Sequence, residues 1–473
     1  MSIFSEKLSQ YMKKGSFNIL TLAEQSGFSV ALLSKIKTGS RLSNDEEKMA
    51  ALIRALRITP AQQEDLMREY RIEKIGRERY RAFQAVRTML TRLSAPDNLE
   101  TMQTAEVACA DLRRQVAEGR NAVNDLCEFV IDKELQESGE RRLRILMPPT
   151  FHYIHDYLMV ASWRRQNTEL VIEHIFEMTS ALISESECRN LEQIGAALQL
   201  LGACGAYRPY YYYSDDSHCQ PYPYAIVTSR YALFVSQDGM RAVLTKEQAF
   251  VDAYAREYEL IRRKCSPLVD VFSFEEEYLT RLSERLRTKR DAVAVALQPC
   301  LTRCVPGEMM GRHLRLPQQP GEVEQRYLDS FFKGKAKDTS VFCEEGVRNF
   351  LQTGRVWEVP EALYTPLSRA EALEVLHRWI ADLEAGRTSA YLLKEPSWQL
   401  TAYLGVALIR GIVYFYHRLP GRRFICYRLM EESAAAVMAD YLRYLIDGEE
   451  TYSAEETLLR VKAIVQREAA QAE

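Results

Sequence analysis

Residues 20–41, LTLAEQSGFSVALLSKIKTGSR, constrain this chain more tightly than any other stretch. Leu22, Ala23, Phe28, Leu33 and Ile36 fall at the inward positions of two short helices that meet across a tight turn. Gly27 stands at the turn, where a left-handed backbone angle is needed and glycine takes it without strain. Ser29 follows as the N-cap of the second helix, its hydroxyl placed to accept from the free amides of the first turn. Gly39 stops that helix. Upstream, Ile3, Phe4, Leu8, Tyr11 and Met12 predict an amphipathic helix. Downstream, Asn44 or Ser43 is expected to cap a helix carrying Met49, Leu52, Ile53 and Leu56. Pro60 opens the next one, where its missing N–H does no harm.

Charge is distributed unevenly around this segment. Residues 1–94 hold 17 Lys and Arg against 10 Asp and Glu, and the remainder holds 45 against 55. A basic head on an acidic body fits a DNA-contacting module joined to something that does not touch DNA.

These residues resemble the lambda-repressor-like, or Cro/xenobiotic-response-element, helix-turn-helix domain. The match rests on Leu22-Ala23, Gly27, Ser29, Leu33-Ser34, Ile36, Gly39 and Arg41, followed by the apolar helix ending ALIRALRITP, and covers residues 3–68. The resemblance implies an all-α head whose second motif helix lies in the major groove, with Ser29, Val30, Ala31, Ser34 and Lys35 towards the bases. Lys13, Lys14, Lys37 and Arg41 are then the expected phosphate contacts, which position without reading sequence. Two departures stand out: the glutamine that often opens the preceding helix is replaced by Ile19, and Val30 and Ala31 stand where polar base readers are common. Val30 and Ala31 offer only apolar contacts, such as to a thymine methyl, while Lys35 can donate to guanine. Sequence preference is therefore expected to lean on DNA shape or on a paired half-site.

The rest of the 473 residues is too long for one core. The expected organisation is a helix-turn-helix domain at 1–70, a helical connector at 71–139, a first α/β lobe at 140–270, a mostly helical linker at 271–335, and a second α/β lobe with C-terminal helices at 336–473. In the connector, Phe83, Val86, Leu90 and Leu93 recur at helical spacing. That stripe fits either packing on the chain's own body or pairing with a second copy. The body reads as two duplicated lobes: strand, helix, strand, helix, then antiparallel strands and a closing helix, with Leu244-Thr245 set against Leu429-Met430. In the first lobe a hairpin is expected about Asp238-Gly239. Such a paired body also resembles the phospholipase-D-type fold, whose chemistry needs a His and a Lys two residues apart in each lobe. None of the seven histidines here begins an H-x-K, so the resemblance implies lost chemistry.

Other chemistry-bearing residues are sparse. The tyrosine-rich stretch 207–224 fits two readings: a ligand wall, with Tyr207, Arg208, Tyr210 and Tyr212 as candidate contacts, or a strand and loop packed on the sheet. His152 and His155 at i, i+3, and Cys300 and Cys304 with His313, lack the further ligands a metal needs. No Gly-rich phosphate loop or nucleophile elbow occurs. No catalytic residue, metal or cofactor is therefore expected. Ten scattered cysteines fit reduced thiols in the cytoplasm, and no apolar run is long enough for a membrane span. The sequence thus predicts a non-enzymatic, cytoplasmic, dimeric transcriptional regulator that binds double-stranded DNA and whose body senses a small molecule or partner protein. Two alternatives stay open: an antitoxin- or phage-type control protein acting through protein contacts, and a degenerate enzyme on a regulator head.

Overall fold

The structure is a computed structural model. It describes residues 2–94, 115–151, 154–159, 170–180, 184–203, 206–214, 221–272, 292–313, 338–357, 364–394, 400–401, 403–418, 424–447 and 450–470. The chain divides into two compact units, Met1–Ala85 and Val86–Glu473.

The first unit is helical: α1 (Ile3–Lys14), α2 (Ile19–Ser26), α3 (Val30–Thr38), α4 (Glu46–Ala55) and α5 (Pro60–Ile75), with α6 (Arg77–Ser94) straddling the division. Each boundary has a local cause. The Ser2 and Asn18 side chains cap α1 and α2, and the Ser29 hydroxyl accepts from the Leu32 amide. Gly27 and Gly39, both left-handed, end α2 and α3. Thr59 and Gln62 form a reciprocal capping box ahead of Pro60. The cap of α4 is Asp45, not Asn44 or Ser43: its carboxylate accepts from the Lys48 amide, while Ser43 Oγ accepts from the Asp45 amide one step earlier. The local Ser-Asn-Asp run offers three competent caps, and the backbone turn at Ser43 selects the last.

Phe4, Leu8, Leu22, Ala23, Phe28, Leu33, Ile36, Met49, Leu52, Leu66 and Tyr70 close around one core. Ile19 packs against it, so the residue that departs from the family pattern serves the head's interior. The Tyr70 hydroxyl donates to Ser43 O at 2.9 Å, and Lys7 Nζ ties α1 to α5 through Asp65 at 2.6 Å.

The second unit carries two mixed sheets in two lobes. The first sheet has the order β1-β7-β6-β5-β2-β3-β4-β8. Its strands are β1 (Val116–Glu118), β2 (Arg141–Leu146), β3 (Leu170–Met178), β4 (Tyr207–Tyr213), β5 (Tyr224–Val227), β6 (Ala232–Val235), β7 (Arg241–Thr245) and β8 (Ser266–Pro267). The second sheet has the order β12-β11-β10-β13-β14-β15-β9. It comprises β9 (Val269–Phe272), β10 (Ala292–Val295), β11 (Asp338–Phe342), β12 (Ser389–Leu392), β13 (Leu404–Ile409), β14 (Ile412–Arg418) and β15 (Phe424–Leu429). In each lobe three consecutive strands pair in parallel, and the first of them pairs antiparallel with the first strand of a three-stranded meander. The two lobes therefore repeat one strand order.

Helices of the body are α7 (Arg120–Gln136), α8 (Ser184–Ala203), α9 (Gln248–Arg262), α10 (Gly307–His313), α11 (Glu344–Thr353), α12 (Arg369–Glu384), α13 (Glu432–Ile446) and α14 (Ala454–Ala470). Three expectations need correction. Residues 271–335, read as a mostly helical linker, contain β10, an interior strand of the second sheet. Its four residues, AVAV, are too few to show a period, and both of its neighbours are remote in sequence. The connector at 71–139 likewise contains β1, ahead of α7, and this strand joins the first sheet by pairing with β7. The hairpin expected about Asp238-Gly239 forms from β6 and β7, but the run PYAIVTSRYALFV, expected as its single first arm, is two strands, β5 and β6, that turn at Ser229-Arg230, where Thr228 Oγ1 accepts from the Tyr231 amide. Of the two readings of the connector stripe, packing on the body holds for Val86, Leu90 and Leu93, which are buried in this unit.

The lobes are joined where one extended segment changes sheets, β8 pairing with β4 and β9 with β15. Beside it the Tyr213 hydroxyl of β4 donates to the fully buried Glu431 carboxylate, which also caps α13 through the Ser433 and Ala434 amides.

Candidate nucleic-acid interface and ligand cavity

On α3, Leu33 and Ile36 face the core, and Val30, Ala31, Ser34 and Lys35 face out. Val30, the first residue of the helix, is 39% exposed. Ser29 is exposed and used as the cap. Lys13, Lys14 and Arg41 are exposed, Lys37 is half-buried, and its carbonyl accepts from the Ser9 hydroxyl, fixing α3 against α1. Among the described residues none of Lys13, Lys14, Lys35, Lys37 and Arg41 forms an ion pair with a carboxylate of this chain. These cations are thus not neutralised internally, and a polyanion would meet them at no cost in broken bridges.

In the body, a cavity of about 330 Å³ opens at the carboxyl ends of β2, β3, β4 and β6. This is where a parallel sheet leaves side chains and amides facing a crevice. Glu177, Arg189, Gln193, Tyr212 and Tyr224 line it, with Thr179 and Ser214. Its walls are held from behind. Asn190 Oδ1 accepts from the Thr179 amide at 3.2 Å, and Asn190 Nδ2 donates to Thr179 O at 2.9 Å. His174, fully buried, pairs Nε2 with Met147 O at 2.9 Å and Nδ1 with the Tyr207 hydroxyl at 2.9 Å. The tautomer that satisfies both carries its proton on Nε2.

Of the four sequence-predicted ligand contacts, the structure brings only Tyr212 to the cavity. Tyr207 is buried and bonded to His174, Arg208 is exposed, and Tyr210 lies under the Arg262 guanidinium at 5.5 Å. Strand alternation puts Tyr207 on the opposite face, while Arg208 and Tyr210 share the face of Tyr212 but stand further from the carboxyl end of β4, where the cavity opens. Residues 215–220 lie outside the described residues. Glu177 went unnoticed because its only sequence signal is a place near a strand end, and Arg189 and Gln193 because they are two polar positions of an amphipathic helix, α8, with no motif around them. Burial pushes the Tyr212 hydroxyl up to about 12, with the Glu177 carboxylate adding to the shift, so it remains a donor across the working pH range.

In the second lobe an indole stands by the corresponding strand ends. There Trp357 lies against Gly405 at the start of β13 and edge-on to Tyr416, and its amide donates to Gln298 Oε1 at 3.0 Å.

The metal half-sites do not assemble among the described residues, where no three His, Cys, Asp or Glu side chains converge in a way that could hold a metal ion. His313 is bonded to Thr365 and Glu371, Cys304 Sγ lies 3.8 Å from Asp382, and the Cys300 amide donates to Ser340. His155 pairs with Asp156, and His152 lies outside the described residues. Cys127, Cys265 and Cys343 form no disulfide. No described helix is long and apolar enough to cross a membrane.

Burial holds the His174 imidazole down at about 4, and does the same for His417 in β14. In the unfolded chain each returns towards 6.5, so between these values the unfolded state binds more protons. Stability then falls as pH drops through that window. From pH 7 to pH 5 each histidine should remove about 2 kcal/mol from the body's stability. Urea midpoints at the two pH values test this: His174→Gln should flatten the dependence by its share, and an unchanged difference would sink the assignment.

No family profile matches the chain, and no curated protein matches it. Among solved structures it is similar to the polyphosphate kinase of Porphyromonas gingivalis, at 11% identity over 79% of this chain and 58% of that one, with a TM-score of 0.24. It is also similar to the phosphatidylserine synthase of Haemophilus influenzae, at 9% identity over 76% and 94% of the two chains, with a TM-score of 0.22. The chain thus spans well under two thirds of the kinase. Both neighbours are enzymes by name, and likeness this weak assigns no activity.

Proposed function

We propose that this chain is a sequence-specific, dimeric DNA-binding transcriptional regulator of the lambda-repressor-like helix-turn-helix class, acting in the cytoplasm without catalysis, whose body responds to a small effector. The observation that carries the reading is the outward face of α3, where Val30, Ala31, Ser34 and Lys35 stand clear of a core closed by Leu33 and Ile36. A helix capped at both ends, apolar on one side and bare on the other, is the part that enters a major groove. Surrounding it with Lys13, Lys14, Lys37 and Arg41 supplies the sequence-independent share of affinity. Two heads in one dimer would double the few base contacts that each α3 can make. An effector bound in the body would act by favouring one arrangement of the paired heads.

Selection of the full chain against a pool of random double-stranded DNA tests this. Enrichment of one motif with two half-sites about one helical turn apart is expected. Affinity for it should fall steeply with salt, and Lys13→Ala should reduce the slope by about one unit while weakening all sequences alike. A pool that stays unenriched would overturn the proposal.

A further inference from the structure

We propose that the cavity of the first lobe binds a small zwitterion, an α-amino acid, with its carboxylate on Arg189 and its ammonium group at Gln193 Oε1 and Glu177. This rests on reading the body as the effector-sensing part, and names the effector's class. Gln193 is 3% exposed, and its Oε1 is buried with no hydrogen-bond partner among the described residues. Leaving such an acceptor bare is unfavourable, so the side chain is built for an N–H or O–H donor that comes from outside. Gln193 sits one turn along α8 from Arg189, so the two reach the same cavity from one helix face.

Charge narrows the ligand further. Glu177, at the end of β3, and Arg189 line one cavity, and both act on Tyr224, the carboxylate raising its pKa and the guanidinium lowering it. A simple anion entering there meets the Glu177 carboxylate, and a simple cation meets Arg189. A dipole offers each of the two its opposite charge, which is selection by repulsion as well as by attraction. The Tyr212 and Tyr224 hydroxyls and Ser214 give further neutral contacts, and about 330 Å³ suits an amino acid with a side chain. The second lobe supports the assignment by contrast, since Trp357 occupies its equivalent strand ends.

Calorimetric titration of the full chain without DNA, using each common L-α-amino acid with n-propylamine and propionate as single-charge controls, tests the proposal. At least one amino acid should bind, with both controls at least tenfold weaker. Arg189→Ala, at an exposed position, should weaken that amino acid at least tenfold, and Gln193→Met should do the same with the fold checked by circular dichroism. Absence of binding by every amino acid, equal binding by propionate or propylamine, or indifference to Arg189→Ala would overturn it. Because no DNA is present, a chain that binds an amino acid but no DNA sinks only the regulator reading, and the converse sinks only this one.

Discussion

A Lys35→Glu chain should bind the selected DNA site at least a hundredfold more weakly than the parent, with its melting temperature nearly unchanged. Lys35 is exposed on the outer face of α3 and forms no ion pair with another described residue. On the proposed DNA-binding reading its loss removes a donor to a guanine edge, about 1–3 kcal/mol of discrimination. The new carboxylate adds repulsion from phosphates a few ångströms away, inside the screening length. The fold has little to lose, because exposed substitutions fall within about 0.5 kcal/mol. A small destabilisation remains, since a cation near the C-terminus of α3 favours the helix dipole. Lys35→Ala should act more mildly, relaxing base preference while phosphate contacts hold general affinity. Fluorescence anisotropy on the enriched site and a scrambled duplex separates the two effects. Equal binding by Lys35→Glu and parent would remove α3 from the interface.

Gly346→Ala should unfold the second lobe or cost it more than about 3 kcal/mol, a large effect for one methyl group. A Cβ at Gly346 would lie 1.8 Å from Leu297 O, 2.4 Å from its carbonyl carbon and 2.8 Å from the Gln298 amide nitrogen. All three are backbone atoms just beyond the end of β10, so no side chain can turn aside. The first turn of α11 would have to move, and with it Val347, Phe350 and Leu351, which pack with Phe342 and Trp379 in the lobe's core. Gly311→Ala in α10 is the matching control. A Cβ there meets nothing within 4 Å, and the change should be neutral or stabilising by up to about 1 kcal/mol. Near-ultraviolet circular dichroism and thermal melts of the two variants check the contrast; a Gly346→Ala chain as stable as the parent would refute the close approach.

The helical head was readable because its signals are local. Gly27, Ser29, Gly39 and Pro60 act within one turn of themselves, and a spacing of three and four places Leu33 and Ile36 inside wherever the helix forms. The exception at α4 is of the same kind: three neighbouring residues could cap, and a hydrogen bond two residues long chose Asp45 over Ser43 and Asn44. The repeated element order of the body was also visible, because β3, β11 and the helices after them each carry their own pattern. β10 escaped, as four small residues whose strand character exists only between β11 and β13.

The candidate ligand site escaped for a different reason. The tyrosine run of β4 drew attention by composition, yet a strand divides its residues between two faces, and Tyr207 became a brace for His174 rather than a wall. Arg189, Gln193, Glu177 and Tyr212 are brought to one crevice only when β2, β3 and β4 lie side by side in parallel.

Residues within a few positions of one another determined where helices begin, where they stop and which face of α3 is bare, since backbone turns and caps need only near neighbours. The sheet order, the interior place of β10 and the cavity were decided by the tertiary structure. Strands remote in sequence can satisfy their amides and carbonyls only in each other's company, and the crevice at their ends exists only once they do.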